Sequence, residues 1–452
     1  MNKISRKLFL KDLSYISLGI ISFSNMLLAS ESGIKTLQKI FPIQEDPNGI
    51  LSLMEGFSYK IISKKGQQMS DGLTVPDRAD GMASFKGNNG NIILIRNHEI
   101  GHFKKIEKLL DVNPFYKNKT YINKYESFIY DIGTNKIPCC GGTTTIVYNP
   151  NTQEVQNEYL SLAGTLINCS GGVTPWNTWI SCEETVDKKG GQLTKNHGYN
   201  FEVIPSEKIK LNNAVPLKDM GRFRHEAIAI DPSTSIAYQT EDRDDGLIYR
   251  FIPNQKGKYI KGGKLQVLAI KNIKENDTRN WKTSNFVVGE KHKIQWLDLE
   301  GTDNPEDDLR YRGANKGAAF FARPEGMWYS DNIIYFTCTS GGRKKLGQIW
   351  KINVKNNTLE LMFESNNSNS MRACDNITIA PWGDVIVCED GRGKDRLIGI
   401  KKDGSTYVIA QNNFNNAEFA GANFSPDGNI LFVNIYSPTM TIAITGPWNK
   451  LI

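Results

Sequence analysis

The segment FAGANFSPDGNILFVNIYSP, from Phe419 to Pro438, decides the fold because five other segments of the chain share its pattern. It reads as a short apolar strand, a turn rich in Gly, Asp, Asn or Pro, and a second apolar strand. The other segments are DGMASFKGNNGNIILIRNHE from Asp80, GGVTPWNTWISCEET from Gly171, HEAIAIDPSTSIAYQTEDR from His225, PEGMWYSDNIIYFTCTSGG from Pro324 and CDNITIAPWGDVIVCEDG from Cys374. Such repeated hairpins predict an all-β fold, a six-bladed β-propeller with a central channel.

Acidic or polar residues lie near the ends of these hairpins. The two strands of a hairpin are antiparallel, so the start of the first lies beside the end of the second. We therefore expect one face of the channel to collect Glu99, Cys182, Glu183, Glu226, Glu241, Glu325, Asp375 and Glu389. Carboxylates at close range raise each other's pKa unless a cation neutralises them. The pattern predicts a site for multivalent cations such as calcium and iron, with solvated loop acids as the alternative.

Charge and cysteine content exclude some classes of protein. The net charge is +7, and no stripe of basic residues alternates with aromatic ones, so we expect no nucleic-acid partner. Seven cysteines are an odd number and form no dense disulfide framework. Cys169, Cys338 and Cys388 flank apolar strand residues and read as buried thiols. Cys182 differs because it stands directly before Glu183 at a strand end.

The first 30 residues read as an export signal peptide. A basic segment, MNKISRKLFLK, precedes an apolar stretch from Tyr15 to Ala29. The segment from Ser5 looks like a twin-arginine signal with Lys7 at the second arginine, and the general secretory route stays open. The apolar stretch is short for a bilayer span of about 20 residues, so we expect no stable membrane span, with an uncleaved anchor as the alternative.

The rest of the chain divides into a spacer over residues 31–50 and one propeller domain over residues 51–452. Two long segments interrupt the hairpins, at about residues 101–138 and 253–322. Both follow a strand end that faces the channel, so we expect insertions around the channel mouth. Outer strands with solvent-exposed loops are the alternative interpretation.

An ordered set of motifs resembles the PhoX-type alkaline phosphatases over nearly all of the chain beyond the signal. The motifs include Asn97-His98-Glu99, Asn168-Cys169-Ser170-Gly171-Gly172, Cys182-Glu183-Glu184-Thr185, His225-Glu226-Ala227, Pro324-Glu325-Gly326-Met327-Trp328 and Cys388-Glu389-Asp390-Gly391. The resemblance implies an exported alkaline phosphatase, a phosphomonoesterase built on a six-bladed propeller. The sequence departs from the family pattern at Lys7, which replaces an export arginine, and at Cys374, where Pro is common.

The resemblance also implies the site. Ferric iron and calcium would be held by carboxylates and one thiolate, which makes Cys182 the candidate iron ligand beside the seven carboxylates named above. Arg323 resembles the arginine that grips the phosphate, with a structural ion pair as its alternative role. The expected partners are small-molecule phosphate esters and, transiently, the export machinery. We expect a monomer in the periplasm or at the cell surface.

Two other functions stay open on the sequence alone. The first is a calcium-dependent hydrolase of the propeller lactonase type, and the second is a non-catalytic cell-surface propeller with structural calcium. A cysteine among the ligands favours the phosphatase, because calcium has little use for a thiolate.

Overall fold

The computed structural model describes residues 42–101, 118–273, 276–304 and 306–451, apart from the side chain of residue 135. The predicted signal peptide, residues 31–41 of the predicted spacer and residues 102–117 of the first predicted insertion lie outside this range. In the described part of the chain, no helix is long and apolar enough to cross a membrane.

Strands dominate the described residues. In chain order they are β1 (Ile43–Gln44), β2 (Leu51–Met54), β3 (Ser58–Lys64), β4 (Ala79–Lys86), β5 (Ile92–His98), β6 (Gly141–Asn149), β7 (Glu154–Thr165), β8 (Asn168–Val173), β9 (Trp179–Glu183), β10 (Asn200–Val203), β11 (His225–Ile230), β12 (Ala237–Glu241), β13 (Ile248–Pro253), β14 (Gly263–Ile270), β15 (Lys291–Leu299), β16 (Pro324–Ser330), β17 (Ile333–Cys338), β18 (Gln348–Asn353), β19 (Thr358–Glu364), β20 (Cys374–Ile379), β21 (Val385–Glu389), β22 (Arg396–Ile400), β23 (Thr406–Asn412), β24 (Phe419–Phe424), β25 (Ile430–Ile435) and β26 (Met440–Thr445).

Helices are few and short. Helix α1 spans Lys119–Tyr125, where the Asn118 side chain caps the first turn by accepting a hydrogen bond from the Tyr121 N–H, and α2 spans Leu309–Asn315. Single 3-10 turns cover Asn88–Gly90, Glu126–Phe128, Thr134–Lys136, Lys218–Met220, Tyr259–Lys261 and Trp448–Leu451. The second predicted insertion thus contains two outer strands, β14 and β15, followed by α2.

The strands form five hydrogen-bonded sheets within the described ranges. Strands β4 to β7 form one sheet in sequence order, and β8 to β10 form another. A nine-stranded sheet contains β11 to β15 and β16 to β19, joined where β15 pairs with β19. Strands β20 to β23 are extended by β2 and β1, and β24 to β26 are completed by β3. Each sheet is antiparallel throughout, as consecutive hairpins require.

The first strands of the six hairpins form a closed ring. Strands β4, β8, β11, β16, β20 and β24 each contact the next one in this order, and β24 contacts β4. The fold is therefore all-β and propeller-like. The sheets do not separate into the six blades predicted from the sequence, because the edge pairing of β15 with β19 merges two runs of strands.

Small residues let the strands approach each other at the ring axis. A Cβ on Gly81 would lie 2.5 Å from the Ser170 Cα, and a Cβ on Gly421 would lie 2.4 Å from the Asp80 carbonyl oxygen. Gly421 also has a left-handed φ of +64°, which disfavours other residues. Between neighbouring sheets apolar side chains fill the space, as where Leu94 packs in one buried cluster with Phe432. The close approach brings the polar starts of the first strands together.

Candidate metal centre

All six hairpins have the same register at their open ends. The first opposed pairs of residues are Ala79 and His98, Asn168 and Glu183, His225 and Glu241, Pro324 and Cys338, Cys374 and Glu389, and Phe419 and Ile435. A register shift follows this pair in five hairpins and comes one residue later in the sixth. Such a bulge re-aims the side chains beside it.

After eleven of the twelve paired residues, the next residue along the chain carries a polar group. On the first strands the residues after the pair are Asp80, Cys169, Glu226, Glu325, Asp375 and Ala420. On the second strands they are Glu99, Glu184, Asp242, Thr339, Asp390 and Tyr436. A single structural rule therefore selects eight carboxylates and one thiol from positions spread over the whole chain.

A backbone hydrogen bond fixes the residue after five of the six second strands. The Glu99 N–H donates to the carbonyl oxygen of Arg78, and the Asp390 N–H donates to that of Ala373, both at 2.9 Å. The two acceptors have left-handed backbone angles, with φ of 56° at Arg78 and 43° at Ala373, and Arg323 before β16 has a φ of 51°. Left-handed conformations of non-glycine residues are uncommon and concentrate at functional sites.

The ligand atoms of seven of these carboxylates and of the thiol, together with those of Glu418, form a continuous arc. Within each of four groups these atoms lie within 4.8 Å of one another. The groups are Asp80 with Glu99 and Cys169, Cys169 with Glu184 and Glu226, Glu226 with Glu325 and Asp375, and Asp375 with Asp390 and Glu418. Because adjacent groups share Cys169, Glu226 or Asp375, we name the whole set the channel cluster. Its shared ligands suit several cations bound side by side.

Burial and mutual repulsion disfavour bare carboxylates in the channel cluster. Burial, followed by the charges of Glu325 and Asp375, raises the pKa of Glu226 well above its usual range. Burial, followed by the charges of Asp242 and Asp375, does the same to the pKa of Glu325. Burial, with the charge of Asp390 next, raises the pKa of Asp375 to about 7. Protons or cations must therefore neutralise part of this charge.

Buried oxygens without hydrogen-bond partners show that cations fit the channel cluster better than protons do. Both carboxylate oxygens of Glu226 and one oxygen of Asp80 are buried and have no hydrogen-bond partner. Such groups are costly unless they are paired. The Cys169 Sγ lies 3.6 Å from an Asp80 oxygen, and burial, together with the Asp80 charge, raises the pKa of this thiol well above its usual range. Cations would supply partners to all three side chains, so the donor set fits metal ions.

Arg323 lies at the edge of the channel cluster. Its Nε and Nη2 donate to the two Asp242 oxygens at 2.9 and 3.0 Å, and its Nη2 donates to Glu325 at 2.5 Å. Its side chain is 35% exposed, so one side of the guanidinium is open to solvent. The charge of Glu325 raises the pKa of Arg323, which keeps the group cationic. The ion pair considered as its alternative role is thus present in this structure.

The structure brings only some of the sequence-predicted residues together. Glu99, Glu226, Glu325 and Asp375 belong to the channel cluster. Cys182 does not: it is fully buried in an apolar cluster with Ile180 and Ile228, where burial raises the pKa of its thiol. The expectation that Cys182 faces the channel is therefore corrected.

Three predicted carboxylates also point away from the channel cluster. Glu183 accepts a hydrogen bond from His197, Glu241 accepts one from Tyr249 at 2.8 Å, and Glu389 accepts two from Arg396. Each is the last residue of its second strand, and the residue after it is the one in the site. Neighbouring residues on a strand point to opposite faces, so a displacement of one residue exchanges the two environments.

The residues that sequence reasoning missed are Asp80, Cys169, Glu184, Asp242, Asp390 and Glu418. A usable signal was present in the repeats. When the six hairpins are aligned by their first opposed pair, Cys169 falls at the position of Asp80, Glu226, Glu325 and Asp375. The thiol of the site is therefore the one in the segment Asn168-Cys169-Ser170.

Fold and site together define a propeller-like protein with an acidic, thiol-containing candidate metal site where the first strands of the hairpins meet. The family described as "Alkaline phosphatase PhoX" matches residues 39–439. The chain belongs to this family.

Other comparisons with known proteins add little to the family assignment. No curated protein matches the chain. Among solved structures, a gluconolactonase from Xanthomonas campestris has a TM-score of 0.45 and 8% identity, covering 90% of this chain and 94% of that chain. Virginiamycin B lyase from Staphylococcus aureus has a TM-score of 0.38 and 11% identity, covering 86% and 99% respectively.

Proposed function

We propose that the protein is an exported, metal-dependent phosphatase that hydrolyses phosphate monoesters and releases inorganic phosphate. Membership of the PhoX family supports phosphatase chemistry. The observation that carries the metal dependence is the position of Cys169. Its Sγ belongs to two ligand groups at once, with Asp80 and Glu99 on one side and Glu184 and Glu226 on the other.

We assign iron to the thiol end of the channel cluster and calcium to its other end. Cys169 offers the soft ligand that selects a transition metal. The groups around Glu325, Asp375 and Asp390 offer only oxygen atoms, which calcium prefers. Bound iron and calcium would neutralise phosphoryl oxygens and lower the pKa of an attacking water molecule.

Arg323 would bind and orient the ester. Its planar fork can donate two parallel hydrogen bonds to phosphate oxygens. In this structure the same N–H groups are divided between Asp242 and Glu325. Once cations share those carboxylates, the competition for Arg323 weakens, and its exposed side can donate to the substrate.

We further propose that the ring works as a six-bladed propeller. In this interpretation the nine-stranded sheet counts as two blades linked at their edges by β15 and β19. All six hairpins reach the channel cluster, because Tyr436 after β25 donates a hydrogen bond to Glu99. Export would follow from the segment before residue 31, which precedes the described residues.

Hydrolysis of p-nitrophenyl phosphate and metal analysis on the same purified, full-length sample test this function. We expect iron and calcium in the active protein, loss of activity on chelation, and recovery with both metals but with neither magnesium nor zinc alone. A lactonase or a structural propeller would bind calcium and leave the ester intact. Full activity in protein that contains only zinc would contradict the assignment.

A further inference from the structure

A second group of metal-ligating side chains lies outside the channel cluster. Ligand atoms of Asp131, Cys139 and His197 lie within 4.8 Å of one another, and all three residues are buried. The His197 Nε2 is 3.2 Å from an Asp131 oxygen and 3.8 Å from the Cys139 Sγ. One ring nitrogen therefore faces a carboxylate and a thiol together.

These separations suit a tetrahedral zinc-type ion. Zinc binds imidazole nitrogen at about 2.0–2.1 Å, thiolate sulfur at about 2.3 Å and carboxylate oxygen at about 2.0–2.2 Å. At tetrahedral angles these bond lengths place nitrogen about 3.4 Å from oxygen and about 3.6 Å from sulfur. The two distances in the structure differ from these values by about 0.2 Å.

The ligands are held in place by their surroundings. The other ring nitrogen of His197, Nδ1, lies 2.6 Å from a Glu183 oxygen, the arrangement by which an outer carboxylate orients a metal-binding imidazole. Glu183 is itself fixed by the backbone N–H groups of Leu166, Gly198 and Tyr199. The site would therefore need little rearrangement to bind an ion.

We propose that Asp131, Cys139 and His197 bind one divalent, zinc-type cation, with Glu183 as the carboxylate that orients His197. Three protein ligands leave one of the four tetrahedral positions to a water molecule. The cysteine and histidine select a borderline-soft ion over calcium or magnesium. This inference does not depend on the phosphatase assignment, because it uses none of the residues of the channel cluster.

The charge of a bound divalent cation can be balanced by the loss of two protons from its ligands. Without a metal, His197 can donate from both ring nitrogens to Glu183 and Asp131, which makes it an imidazolium. Burial keeps the Cys139 thiol protonated by raising its pKa. Binding a divalent cation would release the Nε2 proton of His197 and the thiol proton of Cys139. Two positive charges enter and two protons leave, so the net charge of the buried group is unchanged.

The bound ion would join two segments that precede different strands. Asp131 and Cys139 lie in the connection before β6, and His197 lies before β10. Glu183 ends β9 and is followed by Glu184, a member of the channel cluster. A bound ion would therefore restrict the motion of the backbone beside Glu184.

Cobalt substitution in full-length protein tests the site. Cys169→Ser serves as the background, so that the channel thiol cannot contribute. After chelation, added Co²⁺ should give a near-ultraviolet sulfur-to-cobalt charge-transfer band in this background. Adding Cys139→Ser should abolish the band, whereas Cys140→Ser, which changes the adjacent buried thiol, should retain it. No band in the Cys169→Ser protein, or a band that persists without Cys139, overturns the proposal.

A second variant covers the case in which Cys139→Ser does not fold. Glu183→Gln keeps all three ligands, removes the orienting charge and replaces one of the two oxygens that accept hydrogen bonds from His197 and the backbone. We expect its cobalt affinity, measured by titrating the same band in the Cys169→Ser background, to fall by about 10–100-fold. Unchanged affinity would instead show that the cobalt giving the band is not held by a His197 that Glu183 orients, and would overturn the proposal.

Discussion

Glu183 and Glu184 are consecutive residues whose carboxylates lie in two separate polar sites. A Glu183 oxygen lies 2.6 Å from the His197 Nδ1, whereas Glu184 has a ligand oxygen within 4.8 Å of the Cys169 Sγ. The Glu184 N–H donates to the carbonyl oxygen of Ile167 at 2.8 Å, which turns the chain out of β9 at this point. The peptide bond between Glu183 and Glu184 thus links the channel cluster to the carboxylate that contacts His197 of the Asp131–Cys139–His197 group.

The two cysteines considered for the iron site should behave differently when each is changed to serine. Cys169→Ser removes the soft ligand shared by two groups, so we expect loss of iron and of nearly all turnover in a folded protein. Cys182→Ser buries a hydroxyl in an apolar cluster, which should cost about 1–3 kcal/mol of unfolding free energy and leave metal content normal. Metal analysis and urea unfolding of both variants check this. The reverse result would restore Cys182 as the ligand expected from the sequence.

Glu226→Gln should lower metal content because both oxygens of Glu226 are buried without partners in the middle of the channel cluster. We expect turnover to be lost with the metal, while the chelated variant unfolds at the same or a higher urea concentration than chelated wild type, since one repelling charge is gone. Glu389→Gln is the matched control: Arg396 holds that carboxylate away from the cluster, so metals and turnover should be retained. Metal loss in the control would place Glu389 back among the ligands.

Arg323→Lys keeps the charge but removes the planar fork. We expect metals to stay bound and kcat/KM for p-nitrophenyl phosphate to fall by about 10- to 150-fold, which corresponds to about 1.5–3 kcal/mol for a charge-assisted hydrogen bond. Arg396→Lys breaks a comparable two-bond contact, with Glu389, and should reduce stability at unchanged kcat/KM. Unaltered kinetics in Arg323→Lys would leave Arg323 with the ion pair as its only role.

Removing the metals should make stability fall as pH rises. Burial, with the charge of Asp390 next, raises the pKa of Asp375 from 3.8 to about 7 in the folded state. Between these values the folded state binds more protons than the unfolded state, so the free energy of unfolding decreases with increasing pH and this contribution is lost above about pH 7. Chelated protein should unfold at lower urea concentration at pH 8 than at pH 5.

Two comparisons test the cause of that pH dependence. Metal-loaded protein should lose much less stability over the same interval, because bound cations compensate the ionised carboxylates. The Asp375→Asn variant, measured after chelation, should show a flatter dependence than chelated wild type. Equal stability of the chelated wild type at both pH values would mean that the carboxylates of the cluster ionise without cost.

Turn signals predicted most of the fold. Five of the six hairpins begin within one residue of the strand start in the structure: β4, β11, β16, β20 and β24. The sequence pattern puts the start of the second hairpin at Gly171, three residues after β8 begins at Asn168, and so leaves out Cys169. The pairing of β15 with β19 could not be predicted, because it depends on how two distant sheet edges meet in space.

The convergence of acidic side chains was predictable from the sequence, but the full set of residues was not. Recurrent acids at hairpin ends predicted a shared cation site, and Glu99, Glu226, Glu325 and Asp375 do come together. At the ends of three second strands two acidic residues are consecutive: Glu183-Glu184, Glu241-Asp242 and Glu389-Asp390. The sequence alone does not show which of the two acidic residues is the last one paired with the first strand. Because side chains alternate along a strand, an error of one residue assigns the wrong side chain to the channel face.

The pairing of β3 with β26 sets the order in which the protein can mature. Ser58 on β3 opposes Thr445 on β26, so this sheet forms only after residue 445 has left the ribosome. Asp80 and Glu99 are made early, while Asp375 and Glu418 come hundreds of residues later. A nascent chain can therefore present only fragments of the channel cluster until residue 418 has emerged, so an ion that needs the whole cluster can bind only after that point.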